Sequence, residues 1–286
     1  MRNLIALASS CALVACAADA TVATSTTEED LIAANGTSLN GTSLNGTSLN
    51  GTSLNGTSLN GTSLNGTSLN GTSLNGTSLN GTSLNGTDFI GATMTGTLSN
   101  GASITLRIDD IAALASPNDD VLAYAISAQV DGGWARLCGD EPDGSAVRAI
   151  PVAGTWSLTT GAWTDSSTSI SFACRHASIA KCVELGYKSW DGYAGQHHAC
   201  VRMLRADYCG DGVSHTVNGT PINLYDNAGV QADTESWPVD AEWTADGALC
   251  FNHYRGGSLP SACSQKYSTS CGSFSGGALL IDEYNN

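Results

Sequence analysis

The chain has 286 residues, with 11 Lys and Arg against 26 Asp and Glu and a formal net charge of -15. That balance excludes nucleic-acid binding through a basic patch and suits a soluble, exported surface. All six Trp follow a low-complexity N-terminal stretch, and the about 180 residues after Ile104 are enough for one substantial core.

Met1–Ala15 reads as an export signal. Arg2 supplies the positive start and Leu4–Ala15 a short apolar run, too short for a stable membrane span. Leu13-Val14-Ala15-Cys16 resembles the lipobox of bacterial lipoprotein signals. The resemblance implies that Cys16 is acylated and becomes the first mature residue, with membrane anchoring through its acyl chains. Ala17 after the Cys implies the outer membrane. Cleavage after Ala18-Asp19-Ala20 is the alternative. Residues 16–34 form a small, polar tether, in which Thr27–Asp30 has the spacing of a capping box.

From Asn35 to Leu84 the unit Asn-Gly-Thr-Ser-Leu occurs ten times without an error. The frame continues imperfectly through Phe89 and Met94 to Ile104. A period of five fits neither a helix nor a flat strand. The unit resembles the pentapeptide-repeat family, which implies a right-handed quadrilateral β-helix over 35–104 with Leu and Thr inward. Gly and Asn suit its corners. Four units per coil give a body on the order of 17 Å long. The other reading is a linker, whose extended limit for the same stretch is about 230 Å. Some pentapeptide-repeat proteins mimic duplex DNA. This one carries no charge from Asn35 to Leu84, so it lacks the dense negative surface that a mimic needs.

Residues 105–286 are expected to form a disulfide-rich α+β domain with mostly antiparallel strands. Ile104, Leu106 and Ile108 alternate, as a strand does. Leu122, Tyr124, Ile126, Ala128 and Val130 alternate before Asp131-Gly132-Gly133 and Trp134–Cys138, which predicts a hairpin. Trp156 and Trp163 flank a turn at Thr159-Thr160-Gly161, and Ile170, Phe172 and Cys174 alternate again. His176–Leu185 and Gln196–Ala206 have helical spacing, with Gly186 closing the first. Asn218-Gly219 predicts a hairpin between Val213–Val217 and Ile222–Tyr225. Ala248–Tyr254 is the last strong strand, and the Gly-rich tail after Cys271 ends weakly.

Ala206-Asp207-Tyr208-Cys209 is the signature of a second family. The region resembles the ADYC-domain proteins of bacteria, many of them predicted lipoproteins. The likeness runs through Ala180-Lys181-Cys182-Val183, Gly186-Tyr187-Lys188, Cys200-Val201-Arg202-Met203 and Arg205–Gly212 to Asp246-Gly247-Ala248 and Cys250. It covers about residues 130–255. It implies fold identity and export, and no catalytic residue.

Without Cys11 and Cys16, eight cysteines remain: Cys138, Cys174, Cys182, Cys200, Cys209, Cys250, Cys263 and Cys271. An even number in an exported domain predicts four disulfides, with 105 connectivities open. Zinc is the alternative, but there is no Cys-x-x-Cys pair, and no metal or cofactor is expected. His197-His198 reads as a surface pair, because neighbours on a helix point about 100° apart. His176 and His253 read as structural. Asp207, Asp211 and His215 are the best chemical cluster, carboxylates and an imidazole suited to general acid–base work or to holding Ca²⁺. Asp207 also reads as a turn cap or as a partner of Arg202 or Arg205. Gly272-Ser273-Phe274-Ser275-Gly276 does not match a nucleophile elbow.

The expectation is a cell-envelope protein anchored by Cys16, at the outer membrane or cell surface. In it the repeat spaces or supports a binding or structural domain facing an unknown surface ligand. Two alternatives stand beside it: an exported hydrolase using Asp207, Asp211 and His215, and a structural component that assembles through the repeat.

Overall fold

The structure, a computed structural model, describes residues 90–97, 103–157, 160–165, 170–256, 258 and 260–285, with the backbone of five short strands between 33 and 79. These residues belong to one unit, Leu31–Asn286. The export signal, the lipobox and the Thr27–Asp30 box lie outside the described residues.

The five short strands are β1 (Ala33–Ala34), β2 (Ser48–Leu49), β3 (Thr52–Ser53), β4 (Thr72–Leu74) and β5 (Thr77–Leu79). β2 pairs with β3 and β4 with β5, both antiparallel. Each pair joins neighbouring repeat units across an Asn-Gly dipeptide, the pair favoured in two-residue hairpins.

The larger sheet has six strands. They are β6 (Thr93–Thr97), β7 (Ser103–Ala113), β8 (Leu122–Val130), β9 (Gly133–Arg136), β10 (Ala149–Ala153) and, later in the chain, β13 (Ile170–Cys174). The order is β13-β10-β8-β7-β6, with β9 on β8. The alternation read in β7, β8 and β13 turns Leu106, Ile108, Tyr124, Ile126, Phe172 and Cys174 into one core. Asp131, at φ +48, and Gly132, at φ +79, make the β8–β9 turn. The boundary expected between 104 and 105 falls inside β7. β6 pairs with β7 from Thr93↔Arg107 to Thr97↔Ser103, so residues 93–97 and 103–104 contribute to the cysteine-rich domain's sheet. Met94 and Ile104, which hold the apolar slot of the pentad, are buried there.

Between β10 and β13, β11 (Thr155–Trp156) and β12 (Trp163–Thr164) pair Trp156 with Trp163. Helix α1 spans Ser178–Glu184 and α2 spans Ala194–Leu204, two residues earlier at each end than expected for α2. Ile179, Cys182 and Val183 are the buried stripe of α1, and Gly186 follows at φ +93. The smaller sheet is built by β14 (Pro221–Asp226), β15 (Val239–Thr244), β16 (Gly247–Phe251) and β17 (Leu280–Glu283), in the order β1-β14-β17-β15-β16. α2 lies against β15, β16 and β17. Its Cys200, Val201, Met203 and Leu204 share a second core with Trp243, Phe251 and Leu280.

Two expectations are corrected here. Val213–Val217 forms no strand: Val213 and Val217 are exposed, and β14 pairs instead with β17. The tail does not end weakly, since Leu280–Glu283 is the central strand of the smaller sheet and all four of its residues are buried.

The eight cysteines form four disulfides: Cys138–Cys174, Cys182–Cys200, Cys209–Cys263 and Cys250–Cys271. The second ties α1 to α2. The third ties Cys263 to Cys209 in the loop after α2, and the fourth ties Cys271 to Cys250 in β16 of the smaller sheet.

Candidate functional site

The four residues Ala206–Cys209 follow α2 directly, and each has a separate task. Ala206 takes a left-handed conformation, φ +51, which turns the chain out of the helix. Asp207 is fully buried. Its Oδ1 accepts the backbone N–H groups of Gly210 at 3.0 Å and Asp211 at 3.1 Å, and its Oδ2 accepts that of Gly212 at 3.0 Å. Arg202 donates to Oδ2 as well, and Arg205 Nη1 stands 3.8 Å from it. The loop is thus wrapped around one carboxylate, whose charge is met by three peptide dipoles and two guanidinium groups. Gly210 makes this wrapping possible, because a Cβ there would lie 1.9 Å from the Asp246 carbonyl oxygen. Gly247 approaches from the other side, where a Cβ would lie 2.7 Å from Gly210 N.

Tyr208 carries the motif into the core. Its hydroxyl donates to Asp240 Oδ1 at 2.8 Å and lies 3.0 Å from Oδ2, and it accepts the Arg255 backbone N–H at 2.9 Å. Its ring stacks on Trp243 with centroids 5.2 Å apart. Arg255 Nε lies 2.8 Å from Asp240 Oδ2, and Nη2 lies 3.3 Å from Asp282 Oδ2. Trp243 Nε1 donates to Asp282 Oδ1 at 2.6 Å. All three charged side chains are 0 % exposed. Burial raises the Asp282 pKa well above the ordinary carboxylate range, with the Asp240 charge adding to it, and burial raises Asp240 too. Burial works against the charge on Arg255, but Asp282 and Asp240 outweigh it and raise its pKa. One Arg therefore faces two carboxyl groups, and burial disfavours the ionised form of both. Cys209 closes the motif through its disulfide with Cys263.

A second buried carboxylate organises the tail. Glu242 Oε1 accepts Gly272 N at 2.6 Å and Ser273 N at 2.7 Å, and Oε2 accepts Ser275 N at 2.9 Å and Ser275 Oγ at 3.0 Å. Glu242 also lies within 4.8 Å of the Cys250 and Cys271 sulfurs. Those sulfurs are bonded to each other, so they offer no thiolate to a metal.

The sequence-predicted cluster is dispersed in role. Both oxygens of Asp207 are committed to the loop, and Asp207 is both the turn cap and the partner of Arg202 expected of it. Asp211 is exposed and accepts only the Val213 N–H, at 3.0 Å, among the described bonds. His215 is half-buried with its ring 6.0 Å from Tyr208. His197-His198 is corrected from a surface pair to an interior one. His197 is fully buried, and its Nε2 lies 3.0 Å from the Ile179 carbonyl oxygen. The ring of His198 lies 4.3 Å from that of Trp163. Burial lowers the His197 pKa to about 3, with His198 adding, and burial lowers that of His198 to about 4, with Arg202 adding. Among the described residues, His197 Nδ1, His198 Nε2 and Trp156 Nε1 are buried without hydrogen-bond partners. His176 pairs with Glu141 at 3.1 Å, and the ring of His253 lies 5.5 Å from that of Tyr284.

Asp240, Glu242, Arg255 and Asp282 were missed in the sequence. For the three carboxylates the signal is an acidic residue inside a short apolar run, as in Val239–Thr244 and Leu280–Glu283. In a chain with only 13% charged residues that pattern marks a buried carboxylate.

Comparison with known families matches the pentapeptide repeats, eight copies, over residues 34–71 and 57–96. No curated protein and no solved structure matches the chain. The ADYC domain matches residues 86–257, which takes in the sheet from β6, the motif loop and the buried Tyr208–Asp240–Arg255 network. On that match, over more than half of its length, the chain belongs to the ADYC-domain family.

Proposed function

We propose that this is an exported, lipid-anchored protein of the bacterial cell envelope, whose disulfide-stapled ADYC domain faces outward as a binding or structural module. The observation that carries the reading is the pairing of all eight cysteines beyond Cys16, since disulfides form and persist in oxidising compartments. The lipobox at Leu13–Cys16 supplies the anchor in this reading. The hydrolase alternative has less support, because Asp207 is fully engaged by the motif loop.

The repeat is proposed to form the quadrilateral β-helix of its family. It supports or presents and does not act as an in-line stalk. β1 ends at Ala34, immediately before the first unit, and pairs with β14, while β6, beyond the last error-free unit, pairs with β7. Both flanks of the repeat thus meet sheets of one unit. The tether from Cys16 to Ala33 then sets the reach, at most about 60 Å.

Replacement of Cys16→Ser tests the anchor. Wild-type protein should carry the acyl mass and fractionate with membranes, and the variant should be soluble. An unmodified Cys16 in the wild type, or a variant that still sediments with membranes, overturns the reading. Shortening the repeat by four or eight units tests its place: energy transfer between a membrane dye and the domain should stay constant, whereas an in-line stalk would shorten with each unit.

A further inference from the structure

A cleft of about 410 Å³ opens between the 117–120 loop, the end of α1 with its continuation to Tyr193, and the 226–231 loop. We propose that it binds a neutral or amino sugar ring. The proposal deepens the binding-module reading, and rests on it for the meaning of the ligand but not for the cleft.

The cleft is built, not a gap between loops. Asp226 holds one wall: its Oδ1 accepts Ala228 N at 2.7 Å and Val230 N at 3.2 Å, and its Oδ2 accepts Gln231 N and the Tyr187 hydroxyl, both at 2.7 Å. The walls are tied to each other across the chain. Asn118 Nδ2 donates to the Glu184 carbonyl at 2.7 Å, and Gln231 Nε2 donates to the Leu185 carbonyl at 2.7 Å. Lys188 Nζ bonds both Asp120 oxygens, at 2.6 and 2.8 Å. Gly186 lets the walls meet, since a Cβ there would lie 2.8 Å from Val230 Cγ1. A pre-formed pocket of this size is in the usual small-ligand range of about 300–1,000 Å³.

The groups left over select the ligand. Glu184 is paired with Arg175 and Lys188 with Asp120. Among the described bonds, the Asp191 carboxylate, the Tyr193 hydroxyl, Asn118 Oδ1 and Gln231 Oε1 have no partner. Three of these four accept only, so they ask for a ligand rich in donors, as hydroxyl groups are. The Tyr193 ring and Val230 provide apolar surface for the C–H face of a pyranose. The unpaired Asp191 leaves the lining with one net negative charge, which disfavours an anion and accepts an ammonium group.

Calorimetric titration of the full-length protein in detergent with methyl glucoside, glucosamine and glucose 6-phosphate tests this. The first two should bind with Kd values around millimolar, and the phosphate at least tenfold more weakly. Asp191→Asn and Tyr193→Ala should each weaken sugar binding at least tenfold with an unchanged far-UV spectrum. Lack of binding by both uncharged and amino sugars, binding that survives both variants, or a preference for the phosphate overturns the proposal. None of these outcomes alters the fractionation of Cys16→Ser, so the anchor and the ligand fail separately.

Discussion

Replacing Asp282 by Asn should leave the protein folded and make it more stable at pH 7, whereas replacing Asp240 by Asn should destabilise it. Arg255 offers one positive charge to two fully buried carboxyl groups. Two ionised carboxylates would leave an uncompensated charge in the core. Asp240 accepts from Tyr208 and lies against Arg255, which favours its ionised form, and Asp282 therefore carries the proton. The amide introduced by Asp282→Asn would reproduce that neutral partner, with an oxygen for Trp243 Nε1 and an N–H toward Asp240. The sign follows from the raised pKa of Asp282. Its stabilising contribution is complete below the unfolded value near 3.9. It is lost at about 1.4 kcal/mol per pH unit as the pH rises toward the folded value. The Asp282→Asn variant has no such slope. Asp240→Asn instead leaves Arg255 with one carboxylate at 3.3 Å and weakens the acceptor of Tyr208, at a cost of about 3–5 kcal/mol. Guanidinium unfolding with disulfides intact, followed by Trp fluorescence between pH 4 and 7, measures both. A loss of stability for Asp282→Asn at pH 7, an unchanged pH slope, or equal effects of the two variants refutes the reasoning.

His197 and His198 act in the opposite sense. Their folded pKa values, about 3 and 4, lie below the unfolded value near 6.5. Stability is therefore full above pH 6.5 and falls below it by about 1.4 kcal/mol per unit for each His. His198→Phe, which keeps a ring against Trp163, should remove one of these contributions in the same titration. Gly210→Ala should prevent folding or cost more than about 4 kcal/mol, because its Cβ meets backbone at 1.9 Å. Gly219 has a similar φ, +86, in open space, and Gly219→Ala should cost only about 1–2 kcal/mol, a contrast that thermal melts resolve. Removing Cys209–Cys263, which closes a loop with a sequence separation of 54, should cost about 4 kcal/mol. Removing Cys182–Cys200, with a separation of 18, should cost about 3 kcal/mol.

The sequence by itself determined what depends on near neighbours. Alternation in Leu122–Val130 and the turn at Asp131-Gly132 specify the β8–β9 hairpin, because side-chain period and turn chemistry are local. The i, i+3, i+4 spacing of Ile179, Cys182 and Val183 gives the buried face of α1. The even cysteine count and the Ala206–Cys209 motif identify a stapled ADYC domain. Tertiary structure decided what depends on partners. Cysteine spacing cannot choose among 105 pairings, since a disulfide needs Cα atoms brought close by the whole fold. Leu280–Glu283 is too short to announce itself, and it is central only because β14 and β15 flank it. Val213–Val217 has strand-like residues next to an Asn-Gly turn, but its backbone is taken by Asp211 and by the Arg205 carbonyl. The buried carboxylates at Asp207, Asp240, Glu242 and Asp282 were hidden for the same reason. An acidic side chain enters a core only when distant donors meet it there, and which donors those are is settled by the fold.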